Sequence, residues 1–267
     1  MVDFKGAITF SLTITSFLLV ISYSQLSDNT RSIYVPLFLV LATVSLASLM
    51  FVEQKSDNPL ISLKLMTDKR ILFSNIILVV SFLALFTPFQ TIPVLVRSPL
   101  PIGFGGNAIT SADIQLPFMM VFLLFAPSSG FIVSKICSIK PIVIGSVVST
   151  FGFISLFVFH STEFLVAINL AIVAAGISLM RVGGYEIALK STPKQYSGIS
   201  LGMTFLFNLI GASIGPAIAG IFMQGNQIII KSIMGSFPSE ISYTLIFLTL
   251  ALTSFATIIL SVFLSRK

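Results

Sequence analysis

Eight apolar runs divide the 267-residue chain, at approximately 5–24, 33–52, 71–97, 111–134, 141–160, 164–189, 197–223 and 241–264. Each is near the ~20 residues an α-helix needs to cross a hydrocarbon core. A helix satisfies its own backbone N–H and C=O groups, which lipid cannot do. The runs therefore predict an all-α polytopic membrane protein with about eight transmembrane helices. Charge agrees: 9% of the residues are charged, against roughly 25% in a soluble domain. The first run carries Lys5 offset by Asp3 and is longer than a usual signal-peptide core, so it reads as a retained span.

The formal charge of +6 is explained by where the cations fall. With the amino terminus in the cytoplasm, Lys5, Lys55, Lys64, Lys69, Arg70, Lys135, Lys140, Lys190, Lys194, Arg266 and Lys267 lie on the inner side. Arg31, Arg97 and Lys231 lie outside. Eleven against three satisfies the positive-inside rule, predicts a multi-pass protein of the cell membrane with both termini cytoplasmic, and supports an even number of spans. It also removes the case for a nucleic-acid partner. A single Cys137 and a single His160 exclude an intrachain disulfide and a His/Cys metal set, and no cofactor is expected. No nucleophile elbow or phosphate-binding loop is found, so an enzyme is not expected; Gly103-Phe104-Gly105-Gly106 falls in an outer loop.

The polar interval 53–70 separates two leading helices (1–52) from six later ones (71–267) and reads as a cytoplasmic linker. Asn58-Pro59 marks a turn, with Leu60, Leu63 and Leu65 resting on the membrane surface. The outer loop RSPLPIGFGGNAITSAD is expected to lack a regular core. The fourth span ends Ala126–Gly130 (APSSG), and the seventh contains Gly215–Gly220 (GPAIAG). Each is the second helix of a three-helix group. The groups run in opposite senses, as an inverted three-plus-three repeat would.

The seventh span carries the densest pattern. At 100° per residue, Thr204, Asn208, Gly211 and Gly215 share one stripe, and Gly198, Gly202, Ser213 and Gly220 share another. Met203, Leu206, Phe207, Ile210, Ile214, Ile218 and Ile221 fill an arc suited to lipid. Small residues let helix backbones approach closely in a membrane. Pro216 removes a helix hydrogen bond and predicts a bend. The first stripe is expected to face a cavity or a second bundle, and the Gly198–Gly202–Gly220 side to pack within its own bundle.

Ionisable groups inside spans are costly and mark candidate functional sites. Arg181 and Glu186 lie in the inner half of span six and admit two readings, snorkelling to the interface or gating and coupling. Asp113 admits two as well, a helix N-cap or early-turn acid, or a coupling group. Gln90, Gln115, Asn169, Thr204 and Asn208 are candidates for a substrate pathway, which would be mostly apolar with a few such hydrogen-bonding groups. The 26 Phe residues suit lipid and core, and also stacking on flat ligands. Asn169, Gly176 and Gly183 recur every seven residues, a packing seam.

Three stretches carry a family resemblance. They are Gly105-Gly106-Asn107 with Ala112–Pro117, then Pro127-x-x-Gly130 followed by Lys135 and Lys140-Pro141, then Ser197–Gly202 followed by Gly211-x-x-x-Gly215-Pro216. With Glu53…Asn58-Pro59-Leu60-Ile61 and Lys69-Arg70, the chain resembles the carboxy-terminal part of the fourteen-span drug:proton antiporters of the major facilitator superfamily. The resemblance implies two linker helices followed by one six-helix bundle. It also implies proton-coupled efflux of small molecules by alternating access, between the lipid bilayer and a second half or a second copy. The loop motif departs at Ser134, where an acid is expected, and at Cys137, where a Gly is expected. A non-transporting membrane subunit, or a truncated fragment of a longer transporter, is the competing reading.

Overall fold

Each apolar run folds as a helix. The computed structural model describes residues 4–24, 28–55, 62–135, 139–230 and 235–265. The long helices are α1 (Phe4–Tyr23), α2 (Asp28–Lys55), α4 (Lys69–Arg97), α5 (Ala108–Lys135), α6 (Ile139–Val158), α7 (Glu163–Lys190), α8 (Ser197–Gly225) and α9 (Glu240–Ser265), with α3 (Leu63–Met66) a single turn. Among the described residues, eight helices are long and apolar enough to cross a membrane. Polar side chains set their starts. Asp68 Oδ1 accepts from the Arg70 and Ile71 amides at the head of α4. Thr162 Oγ1 accepts from Leu165 at the head of α7.

The helices interlock in a symmetric way. The second helix of each later triplet lies on the first helix of the other: α8 packs on α4, and α5 packs on α7. Exchanging the triplets α4–α6 and α7–α9 maps one contact onto the other. α6 packs on α7 and α9, and α4 touches both α7 and α9. Thus α4 and α7 stand centrally, with α6 and α9 behind them. α1 and α2 form their own antiparallel pair, joined to the rest through α1 on α8. Interhelical hydrogen bonds add to this packing, including Thr257 Oγ1 to Ser146 Oγ at 2.8 Å between α9 and α6.

The glycines of α8 divide otherwise than the sequence suggests. A Cβ at Gly211 would stand 2.2 Å from the Val79 carbonyl oxygen, and one at Gly215 would stand 2.5 Å from Thr87 Oγ1 and 2.7 Å from the Leu83 oxygen. That stripe is pressed against α4 inside the bundle. At Gly198, Gly202 and Gly220 a Cβ would meet nothing within 4 Å, so these three glycines are not pressed against a neighbouring helix. The apolar arc is divided: Ile221 is exposed, as expected of a lipid-facing position, but other members are not. Met203 is fully buried beside Leu65 and Ile71, and Ile214 and Ile218 pack on the central core. Leu201, Phe205 and Leu209 are exposed as well. α8 continues as helix through Pro216.

Two connections are more structured than their composition suggests. Leu65 is buried against Ile71 and Met203, not laid on a membrane surface, and Ser62 caps its turn by accepting from the Leu65 amide. Asn58, Pro59, Leu60 and Cys137, with the side chains of Leu63, Ser134 and Lys135, lie outside the described residues. The Gly/Pro-rich loop folds back onto the end of α4. Gly105 N–H donates to the Ser98 carbonyl at 2.8 Å and Gly106 N–H to that of Val96 at 2.8 Å, while Ile102 and Phe104 join the core. Gly105 adopts φ +62°, and a Cβ at Gly103 would stand 2.1 Å from the Leu95 oxygen. Both positions therefore require glycine. A short antiparallel hairpin, β1 (Gln227–Ile230) and β2 (Gly235–Pro238), links α8 to α9 and was not expected from the sequence.

The ends of α4 and α9 are tied by a 3.0 Å hydrogen bond between Ser98 Oγ and Tyr243 Oη, both buried. Ser98→Ala and Tyr243→Phe are each expected to lower stability by about 1 kcal/mol. The double variant should lose little more than either single one, because the two groups share one interaction. Thermal unfolding of the four proteins checks this; additive losses would refute the coupling.

Candidate functional site

A polar cluster forms where α4, α5, α7 and α8 meet. The α7 positions that meet α6 are Val173, Gly176 and Met180. Arg181 lies about 100° further round the helix, and Tyr185 shares its face one turn on. Asn208 reaches this face from α8: its Nδ2 donates to the Tyr185 hydroxyl. The same hydroxyl interacts with the Arg181 guanidinium. Asn208 is fully buried, yet its Oδ1 has no hydrogen-bond partner; neither does Arg181 Nε. Thr204 is buried one turn before Asn208.

Two rings lie close to the guanidinium. Its carbon is 4.2 Å from the Phe82 centroid on α4 and 5.3 Å from the Phe122 centroid on α5. These are attractive cation–π distances. The rings belong to a row, with successive centroid separations of 6.1 Å (Phe82–Phe86), 5.8 Å (Phe86–Phe89), 5.7 Å (Phe89–Phe118) and 6.2 Å (Phe118–Phe122). Arg181 thus joins the two ends of an aromatic wall that spans α4 and α5. Phe82 also abuts α8, since its Cβ would lie 3.1 Å from a Cβ at Gly211.

The other candidates divide. Gln115 is half-buried on the α5 face that carries Phe118 and Phe122, with Nε2 turned to the Ser111 carbonyl at 3.3 Å. Gln90 follows Phe89 and is exposed. Asn169 serves the α6–α7 connection, its Nδ2 donating to the Phe159 carbonyl at 3.3 Å. Asp113 is not a cap. Asn107 caps α5 by accepting from Ile109 and Thr110, and Asp113 stands exposed in the second turn. Glu186 does not meet Arg181; it pairs with Lys190, four residues on.

The sequence does not single out Tyr185, and it suggests stacking on flat ligands for the phenylalanines as a group without marking which of them. Phe82, Phe86 and Phe89 recur at i, i+4 and i+7, and Phe118 and Phe122 at i and i+4. That spacing puts each set on one helix face. It does not bring the two sets to one place.

The helical arrangement is shared with a solved membrane protein. A crystal structure of the nucleoside transporter NupG (D323A mutant) superposes with a TM-score of 0.58, covering 95% of this chain and 65% of that one at 15% identity. In sequence, the chain is 25% identical over 248 residues to the multidrug transporter protein MdtP of Bacillus subtilis (strain 168), covering 90% of this chain and 45% of that protein. It is 24% identical over 180 residues to the multidrug resistance protein Stp of Mycobacterium tuberculosis (strain ATCC 25618 / H37Rv), covering 67% of this chain and 33% of that one. The chain therefore spans less than half the length of these curated relatives. No family model matches it.

Proposed function

We propose that this chain forms one half of a facilitator-type transporter that exports small molecules by alternating access. In this reading α1 and α2 are linker helices, residues 53–70 a cytoplasmic connection, and residues 71–267 a six-helix bundle. Both termini are cytoplasmic, and a separately encoded bundle or a second copy of the chain completes the pathway. Proton coupling belongs to the same proposal.

The observation that carries the reading is the Arg181–Tyr185–Asn208 cluster beside its aromatic wall. It sits on the central helices, on the side of α7 turned from α6. Transport sites of such folds lie between two bundles near the midplane. The names of the relatives, multidrug transporter and multidrug resistance protein, support small organic molecules as the cargo class.

Drug-sensitive cells expressing the chain, alone and with a candidate first bundle, provide the test. Reduced accumulation of a fluorescent drug in at least one case is expected. Unchanged accumulation in both would refute transport and favour a non-transporting subunit or a truncated fragment.

A further inference from the structure

We infer that Phe82, Phe122, Arg181, Tyr185 and Asn208 form a binding site for a flat aromatic anion, a carboxylate that also carries a hydrogen-bond donor. The inference rests on the transport reading and specifies its cargo. Three observations lead to it.

The first is charge. Among the described residues Arg181 has no carboxylate partner; the nearby acid Glu186 is engaged with Lys190. A guanidinium stays charged at physiological pH, and an unpaired cation at a site disfavours cationic cargo as strongly as it favours anionic cargo. The rings of Phe82 and Phe122 lie 4.2 and 5.3 Å from its central carbon. The N–H groups of a guanidinium lie along its planar edge. That planar edge matches a carboxylate.

The second is hydrogen-bond accounting. The Tyr185 oxygen already accepts from Asn208, so its O–H is free to donate to the same carboxylate. Asn208 Oδ1 and Arg181 Nε are buried polar atoms without partners. An orphaned donor and an orphaned acceptor, on two residues that both meet Tyr185, define the complement: an anionic acceptor and a hydroxyl or N–H donor on one molecule. Buried polar groups are otherwise nearly always paired.

The third is shape. Phe82 and Phe122 are half-buried, and their row continues into the half-buried Phe86 and Phe89, while Phe118 between Phe89 and Phe122 is buried in the core. Such a surface favours a planar, apolar body, by stacking or edge contacts.

Binding of three naphthalene probes to the purified full chain in lipid nanodiscs tests this. The probes are 6-hydroxy-2-naphthoate, 2-naphthoate and 2-naphthylmethylammonium. The hydroxynaphthoate should bind at least tenfold more tightly than the ammonium compound. Arg181→Gln should abolish that preference, and Arg181→Lys should restore only part of it, because lysine lacks the planar edge. Asn208→Ala should remove the advantage of hydroxynaphthoate over naphthoate. Each variant is compared at a temperature where its thermal transition shows it folded. Equal or tighter binding of the ammonium probe, or a preference that survives Arg181→Gln, overturns the anion site and leaves the transport reading standing. Binding of none of the three probes overturns the anion site, while drug accumulation in cells independently decides transport.

Discussion

Gly211→Leu and Gly215→Leu are each expected to prevent α4 and α8 from docking, so that little or no monodisperse protein is recovered. Even a methyl at these positions would stand 2.2 Å from the Val79 oxygen or 2.5 Å from Thr87 Oγ1. The obstacles include backbone, which cannot rotate away as a side chain can. Overpacking a core costs about 1–3 kcal/mol and more when backbone must move; for a chain of this size, 3 kcal/mol corresponds to a fall in Tm of roughly 6–12 °C. Because α8 also carries Asn208, any separation from α4 moves Asn208 relative to Phe82. Binding and transport should therefore fail along with assembly. Gly198→Leu, Gly202→Leu and Gly220→Leu are the controls, since a Cβ there meets nothing within 4 Å. Size-exclusion profiles and thermal unfolding separate the two sets; equal loss at all five positions would refute the assigned face.

Gly176→Val should be comparably damaging at the crossing of α6 and α7. A Cβ at Gly176 would lie 2.5 Å from the Ser149 amide nitrogen and 2.6 Å from the Gly145 oxygen. One at Gly145 would lie 2.5 Å from the Gly176 oxygen. The two glycines face each other, so neither can gain a side chain unless the helices separate. Direct backbone approach of this kind brings many van der Waals contacts together, the main attraction between helices in lipid. Gly145→Val should reproduce the loss, and Gly130→Val, with nothing within 4 Å of its Cβ, should not. The double variant Gly145→Val/Gly176→Val should lose less than the two single losses added, because once the crossing has opened the second methyl group pair meets little further obstruction. Thermal unfolding of the purified variants measures all four outcomes.

Much of this architecture is legible in residue order. A lipid-spanning segment must be long, apolar and internally hydrogen-bonded, and that rule is local. The eight runs consequently fall on α1, α2 and α4–α9 with boundaries displaced by a few residues. Small residues stand out on α7 and α8 in the sequence; in the structure Gly176, Gly211 and Gly215 approach neighbouring backbone closely, whereas Gly198, Gly202 and Gly220 meet nothing within 4 Å. The loop after α4 illustrates the limit. Gly and Pro announce irregular backbone, but not that Gly105 and Gly106 would find acceptors on Ser98 and Val96.

Residue order alone establishes the eight long apolar helices, their approximate limits, and the presence of two small-residue stripes on α8. Periodicity treats those stripes alike, because both meet the same local condition for close approach. Only the tertiary structure decided between them: the carbonyls of Val79 and Leu83 and the hydroxyl of Thr87 on α4 occupy the space at Gly211 and Gly215. The site was decided in the same way. Tyr185 and Asn208 are 23 positions apart, and Phe82 and Phe122 come from two further helices. Their meeting at Arg181 depends on how four helices cross, which no spacing within one helix encodes.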